Sequence, residues 1–305
     1  MPADRLFPLV SVPRIACDAR LTGPGAAMPA LVHAPVTSVW SPTRSSCIRA
    51  VLHRLVSGVI EQTVDELRDL ALEAGDAGGY FPALYVRVTR DIAAGIRDHQ
   101  FEDGPRMERL VDAFAGCYIR ARTAQMPVPR CWQATWDVAG DPNLVIVQHL
   151  LLGVNAHVNH DLAQAVVEVA PQHGGLEAVR DDFDTINDVL AGSFAGVIRD
   201  LDSVSRWAGE AAALGGGRLF NFSLRVARSQ AWGAAERLHP LDEAGRRDYM
   251  SELDELVSVL AYLITRPVCP VALAAWLARR FEQRDPRAVT RTLLGTRADV
   301  IERVT

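Results

Sequence analysis

The residues best suited to chemistry in this chain are concentrated in one apolar segment, from position 144 to position 170. At about 100° per residue, a helix would bring His149, His157 and His160 within a quarter-turn of one another, with Asp161 at the edge. A histidine beside a carboxylate can transfer protons, and the same side chains can bind a divalent cation. The pattern predicts a site in which His157 and Asp161 are the leading pair, as acid and base or as metal ligands. His149 is the third group.

A second polar stripe, made of Gln148, Asn155 and Asn159, lies on nearly the opposite side of the same helix. Because an amphipathic surface helix has one polar side, a helix with two is expected to be central, with its polar side chains hydrogen-bonded inside the protein. We therefore predict that the histidines and the aspartate are buried. Three interpretations stay open: a metal site, metal-free acid–base chemistry, and a structural network that only joins helices.

Another predicted helix, from 218 to 238, carries candidates for substrate binding. Arg225, Arg228 and Trp232 share one side of it, and small alanines on the other side indicate close helix packing. If the arginine side lines a cleft, Arg228 would bind an anionic group and Trp232 would form a stacking wall. If it faces water, Trp232 is simply half-buried beside a solvated arginine. Asn155 would help Arg228 to orient a polar substrate.

The dipeptide His160-Asp161 resembles that of metal-dependent phosphohydrolases, whose remaining ligands are a histidine on an earlier helix and an aspartate on a later one. Here His53 or His99 could supply the first, and the run from 181 to 188 could supply the second. Because a dipeptide has little specificity, this pattern is a weak prediction.

Four aspartates between positions 181 and 188 resemble the aspartate-rich helix of terpene synthases. A clean apolar stripe lies opposite Asp181, Asp184 and Asp188, so these three carboxylates are expected to face solvent without a metal. The second metal motif of those enzymes is missing, because Arg206 stands where a serine or threonine is needed. The sequence argues against a terpene synthase.

Every one of the 32 basic residues is an arginine, which excludes several kinds of chemistry. Without a lysine, the chain forms no Schiff base, holds no pyridoxal phosphate through a lysine, and has no P-loop for a nucleotide. No glycine-rich NAD fingerprint and no GxSxG serine elbow is present. The net charge of −5 argues against a nucleic-acid partner. The sequence favours a small-molecule substrate, and the cofactor stays open, with one divalent metal as the candidate.

The cysteines and the hydropathy pattern predict a cytoplasmic protein. Five cysteines without a CxxC pair fit neither a disulfide framework nor a structural zinc site. Pro8 and Pro13 interrupt the apolar N-terminal stretch, which is therefore a poor signal peptide. The segment from 144 to 170 is too polar to span a membrane. The bias toward arginine, alanine and valine indicates a GC-rich bacterial genome. The oligomeric state is not predicted.

The apolar periodicity predicts an all-α fold. Residues 1–44 are rich in Pro, Ala, Gly and Ser and predict an irregular arm, whereas residues 45–305 predict one helical domain. Asp141-Pro142 and Asp285-Pro286 each predict a helix start, with an aspartate cap before a proline in the first turn. The expected architecture is a bundle of roughly eight or nine helices. The predicted ranges are 45–70, 82–97, 107–122, 144–169, 176–200, 218–238, 243–265, 271–283 and a final helix after 285.

Three strings resemble those of a bacterial and fungal protein family of unknown function: QHLLLGVNAHVNHDL at 148–162, FPALYVRVT at 81–89 and RVARSQAW at 225–232. The likeness covers roughly residues 60–240, and the first string is its specific part. His160 falls outside the family's pattern, which weakens the phosphohydrolase interpretation. The resemblance implies no activity, but it adds Tyr85 to the expected substrate-binding residues. The residues that match the motif are Gln148, His149, Asn155, His157, Asn159 and Asp161, together with Tyr85, Arg228 and Trp232.

The sequence thus predicts a small-molecule enzyme with a buried site centred on His157 and Asp161. The leading hypothesis is a metal-dependent hydrolase or lyase with His149, His157 and Asp161 as tentative ligands. The first alternative is a metal-free cyclase or isomerase of specialised metabolism that uses the same pair. The second alternative is a helical binding or scaffold protein without catalytic activity.

Overall fold

The computed structural model describes residues 58–201, 204–205, 217–268 and 271–295. This part of the chain is helical and contains no β-strand, which confirms the predicted all-α class. The predicted arm, residues 1–44, and His53 lie outside the described residues. The α-helices are α1 (Val59–Glu73), α2 (Tyr80–Arg97), α3 (Gly104–Arg122), α4 (Arg130–Asp137), α5 (Ile146–Ala156), α6 (Leu162–Val169), α7 (Leu176–Leu201), α8 (Gly217–Leu238), α9 (Glu243–Thr265), α10 (Val271–Ala278) and α11 (Pro286–Leu293).

A π-helical turn, His157–Asp161, joins α5 to α6 without a break, so these three segments form one central helix. Counted this way, the described residues hold ten helices, near the predicted eight or nine. The central helix packs against α2, α3, α4, α8 and α9. It is buried along most of its length, as the two polar stripes predicted. A π turn inserts one extra residue and rotates the side chains that follow it, and such turns are frequent at functional sites.

The start of the central helix differs from the prediction. Asp141 does not cap it: its carboxylate accepts a hydrogen bond from the main-chain N–H of Asn143 and closes a turn two residues on, as aspartates in turns do. The helix begins at Ile146, and the Gln148 side chain accepts from the N–H of Val145 at its N-terminus. The Asp285-Pro286 start of α11 is confirmed, with Asp285 accepting from a main-chain N–H in the first turn.

The short helix α4 was not predicted, because eight residues are too few to show a helical period. It follows Pro129 and brings Trp132 into the centre of the core, where its side chain is fully buried. Asp254 of α9 holds the start of α4 by accepting from the main-chain N–H groups of Arg130 and Cys131. None of the helices in the described ranges combines the length and the apolarity needed to cross a bilayer.

Candidate active site

The π turn brings His157 and His160 to the buried carboxylate of Asp161. Nδ1 of His157 lies 3.0 Å from Oδ2 of Asp161, and Nδ1 of His160 lies 2.8 Å from Oδ1. The indole Nε1 of Trp132 donates to Oδ2 at 3.0 Å. Both His157 and Asp161 are 2% exposed, which confirms that they are buried. The carboxylate therefore has three donors from two helices, which fix its position in the core.

The hydrogen bonds set the charge of this group. Burial by itself raises the pKa of Asp161, but the hydrogen bonds from His157 and His160 outweigh burial and hold that pKa below its usual value. Burial lowers the pKa of His157 more than its bond to Asp161 raises it. At neutral pH the pair is therefore an ionised carboxylate beside a neutral imidazole. Because an ionised carboxylate only accepts hydrogen bonds, the proton of His157 is on Nδ1 and the lone pair is on Nε2.

Nε2 of His157 is buried and has no hydrogen-bond partner within the described part of the chain. Aromatic rings surround the imidazole. Phe114 stacks on it with ring centroids 3.6 Å apart, and the centroid of Tyr85 lies at 4.6 Å. Phe81 approaches from the helix α2 side because Gly153 faces it, and a Cβ at Gly153 would collide with the Phe81 ring. The imidazole is thus held rigidly, with one nitrogen unpaired.

His157 lines a cavity of about 760 Å³, its opening to solvent included, between α2, α3, α7, α8 and the central helix. Besides His157, only two residues with polar side chains, Tyr85 and Arg228, occur among its described lining residues. The hydroxyl of Tyr85 is buried without a partner in the described structure, and burial raises its pKa well above the usual value. It is therefore a neutral donor. The apolar walls include Leu84, Val88, Leu110, Val111, Val158, Ile186, Leu190 and Leu224.

Arg228 was expected to line a cleft, and it borders the same cavity as His157, with its side chain 3% exposed. Its Nε donates to Oδ1 of Asn187 at 2.9 Å, and Nη2 donates to the main-chain carbonyl of Phe183. Its guanidinium also lies 4.2 Å above the centroid of the Phe183 ring. Among the expected substrate-binding residues, the structure thus brings Tyr85 and Arg228 to the cavity.

Asn155 and Trp232, also expected to bind substrate, are not among the described residues that line this cavity. The amide of Asn155 donates to the main-chain carbonyl of Val257 at 3.0 Å and so ties the central helix to α9. The indole of Trp232 packs on the Phe183 ring, lies beneath the Arg180 guanidinium, and donates to Glu236. Both side chains connect helices.

His149 is buried as predicted, but the structure separates it from His157. It lines a different cavity with Tyr80 and Glu282, and its ring meets that of Tyr80 edge to face. The predicted ligand set of His149, His157 and Asp161 is therefore not assembled, and both Asp161 oxygens already accept hydrogen bonds. The two histidines are eight positions apart, which places them about two turns apart on the helix.

Cys131, His160 and Asp254 are the one group of three in the described residues with ligand atoms close enough to share a metal ion, all within 4.8 Å. Each has another explanation. Asp254 caps α4 with both oxygens, and His160 donates to Asp161. Burial raises the pKa of the Cys131 thiol, which is hydrogen-bonded to Asp254. The group reads as a hydrogen-bonded junction between α4, α9 and the central helix.

The weaker sequence patterns are also resolved. Asp181, Asp184 and Asp188 are exposed on α7, as predicted. His99 is exposed at the end of α2, so the structure does not bring it together with His160 and Asp161. Asp182 behaves differently from its neighbours, a distinction that the sequence did not suggest. It is 1% exposed and bonds the Arg106 guanidinium of α3 at 2.6 Å.

The match to known families covers the whole cavity region. The model of the family of unknown function DUF5995 matches residues 56–267. The chain belongs to this family. No curated protein matches the chain, and no solved structure matches it. The cavity of this DUF5995 member therefore has to be interpreted from its own residues, and every described residue that lines it lies within the matched range.

The sequence did not indicate the roles of two residues that shape the site of this DUF5995 member. Trp132 donates to Asp161 from the unpredicted helix α4, and Phe114 stacks on His157 from α3. Phe114 lies in the predicted helix 107–122, but nothing in its spacing separates it from ordinary core aromatics. Only the tertiary fold brings either residue to the pair.

Proposed function

We propose that this protein is an enzyme that catalyses proton transfer on a small, mostly apolar molecule, with Nε2 of His157 as the base. One observation carries the proposal. Nε2 is buried without a partner among the described residues, while Nδ1 of the same ring is fixed on an ionised carboxylate. Leaving a buried acceptor unpaired costs about 1–3 kcal/mol. Such a cost is expected at a site where the lone pair meets a ligand.

The neighbours of His157 suit this role. Asp161 would hold the imidazole in the reactive tautomer and stabilise the imidazolium that forms when Nε2 takes a proton. Trp132 and His160 hold Asp161 in turn. The unpaired hydroxyl of Tyr85 would donate to an oxygen on which negative charge develops. Apolar walls exclude water and strengthen each of these interactions.

The reaction that fits these groups is an isomerisation or a cyclisation without a metal. Nε2 would remove a proton from a carbon next to a carbonyl, the Tyr85 hydroxyl would stabilise the enolate oxygen, and the imidazolium would return the proton to a second atom. This is the first alternative from the sequence. It is favoured over a metal-dependent hydrolase or lyase because the hydrogen bonds already occupy both Asp161 oxygens and Nδ1 of His157.

A second candidate is a binding protein that holds an apolar molecule without changing it. The observation in its favour is the cavity wall, which is almost wholly aliphatic and aromatic in the described residues. In that case Nε2 and the Tyr85 hydroxyl would only hydrogen-bond the ligand. Binding without turnover is the result that would favour this candidate.

The test is proton exchange in deuterium oxide. A panel of apolar ketones and β,γ-unsaturated ketones would be screened for binding, and each binder would then be followed by proton NMR for loss of signal next to the carbonyl. We expect the protein to accelerate exchange, the His157→Ala variant to lose the acceleration, and the His149→Gln variant to keep it. Circular dichroism would confirm that both variants fold. Equal exchange with and without the protein, for probes that bind, would contradict the proposal.

A further inference from the structure

The charge of Arg228 has no counterpart in the described structure. Its side chain is 3% exposed, and no described carboxylate lies within 4.0 Å of its guanidinium. The charge of Asp184 raises the pKa of Arg228 from a distance, but its carboxylate bonds Arg180 at the surface. Asp188 lies 3.6 Å from Arg225. Removing a charge from water without a partner costs several kcal/mol. A buried arginine with only neutral partners is therefore an unusual feature that requires an explanation.

The contacts of Arg228 hold its guanidinium in place but occupy only some of its N–H groups among the described residues. Two of its N–H groups donate to Asn187 and to the Phe183 carbonyl, and the Phe183 ring covers one face. A guanidinium has five N–H groups, so three have no acceptor among the described residues. Burial lowers its pKa to about 10, so the group still carries its charge at neutral pH.

We propose that the cavity binds an apolar monocarboxylic acid, with its carboxylate on Arg228 and its apolar part along the walls towards His157. The proposal rests on the proposed function in one respect only, that the molecule bound there is the substrate. Arg228 and His157 line the same cavity, and helix α8 packs against the π turn that carries His157. One molecule could therefore contact both.

Charge and geometry select a carboxylate among anions. Arg228 is the only formally charged side chain among the described lining residues, because His157 is neutral. One cation balances one negative charge, whereas a phosphate monoester brings nearly two. The free N–H groups of a guanidinium match a carboxylate in a two-bond fork. Apart from Tyr85 and His157, the described wall residues offer no hydrogen-bond partner for a hydroxyl-rich molecule, so a sugar acid is a poor fit.

The first experiment compares ligands that differ only in the head group. Decanoic acid, 1-decanol, decyl phosphate and decyltrimethylammonium would each be titrated into the wild-type protein by calorimetry at about pH 8, where the acid is ionised. We expect decanoate to bind about tenfold or more tightly than decanol, and the cation not to bind. Equal binding of the acid and the alcohol, tighter binding of the phosphate, or no binding of the acid would overturn the proposal.

Matched arginine variants then locate the carboxylate. Arg228→Gln should weaken decanoate binding to the level of decanol and leave decanol unchanged. Arg225→Gln, on the same helix but exposed in an ion pair with Asp188, should change neither affinity. Thermal unfolding shows whether the variants fold. If Arg228→Gln does not fold, Arg228→Lys, which keeps the charge but loses the fork, should bind decanoate more weakly than the wild type. Unchanged decanoate binding in the folded variant would contradict the proposal.

The two proposals can fail separately. Selective decanoate binding without any exchange catalysis would leave the carboxylate assignment standing and refute the base role of His157. Exchange catalysis that is indifferent to a carboxylate on the substrate, and to Arg228→Gln, would do the opposite.

Discussion

His157 and His149 occupy the same central helix, yet they face cavities of opposite character. His157 borders an apolar cavity with Arg228 as its single described cation. His149 borders a cavity of about 680 Å³, its opening included, whose lining contains Asp76, Asp141 and Glu282. Burial lowers the pKa of both imidazoles. Burial alone therefore does not distinguish a base from a structural histidine; the buried Asp161 carboxylate and the unpaired Nε2 make that distinction.

The largest loss of exchange activity is expected from a change at Asp161, which contacts His157 and not His149. Asp161→Asn keeps the shape of the side chain but removes the charge that fixes the tautomer of His157, so the exchange rate should fall by about 10³- to 10⁴-fold. His149→Gln should leave the rate roughly unchanged, because that ring lines the other cavity. Both rates come from the deuterium-exchange assay. Similar losses in the two variants would mean that the histidines are equivalent.

The next prediction concerns how folding stability depends on pH through the titration of His149. Burial lowers its pKa to about 4, against raising contributions from Asp141 and Asp76 and a lowering one from Arg279. The unfolded chain binds this proton near pH 6.5, whereas the folded chain binds it only near pH 4, so stability is lost as pH falls through that window. The loss is roughly 3 kcal/mol.

The control for this titration is His149→Gln, which removes the group. Denaturant unfolding at about pH 7 and about pH 4.5 should then show a smaller drop in the unfolding free energy for the variant than for the wild type. The same drop in both proteins would show that His149 does not titrate with a lowered pKa.

A smaller loss of stability is expected when one of the hydrogen-bond donors around Asp161 is removed. Trp132→Phe removes the indole N–H that reaches Oδ2 and should cost about 2 kcal/mol of stability, because the lost hydrogen bond goes to a charged group. Trp136→Phe is the matched control, since Trp136 stacks on Trp132 but is half-buried. Thermal or denaturant unfolding measures both. An equal change in the two variants would remove the special role of the indole N–H.

The smallest effect on stability and activity is expected for an exposed carboxylate that lines neither cavity. Asp181→Asn changes an exposed carboxylate and should alter the unfolding free energy by less than about 0.5 kcal/mol, with no change in exchange rate. Asp182→Asn, one position along, should cost about 3 kcal/mol, because it removes the buried partner of Arg106 and leaves that arginine only the more exposed Glu102 and Asp103. A large loss of activity in Asp181→Asn would reopen the aspartate-rich interpretation.

The sequence could predict the central helix and the burial of its polar groups, because a helix with two polar sides is stable only in the interior. It could not predict which polar groups pair. Asn155 bonds a main-chain carbonyl of α9, a contact over 102 positions that no local pattern contains. The π turn also changes the direction of Asp161, whereas a periodicity of 3.6 residues assumes a regular helix.

Residues outside the central helix show the same limit. The alternation of arginine and alanine on 218–238 predicted one functional side, and Arg228 does border the cavity. Trp232 lies one turn further along, where α7 brings Phe183 and Arg180 against it, so it packs in the core instead. Local spacing identifies a shared face, but the neighbouring helix decides which residue of that face meets a ligand.

Nitrogen NMR of the imidazole tests, without a substrate, whether His157 is a neutral base with its lone pair on Nε2. A ¹⁵N-labelled sample, with His157→Gln for assignment, would give the two ring-nitrogen shifts at neutral pH. We expect a protonated, pyrrole-type Nδ1 and an unprotonated, pyridine-type Nε2 for His157. Two protonated nitrogens, or a proton on Nε2 with Nδ1 free, would contradict it.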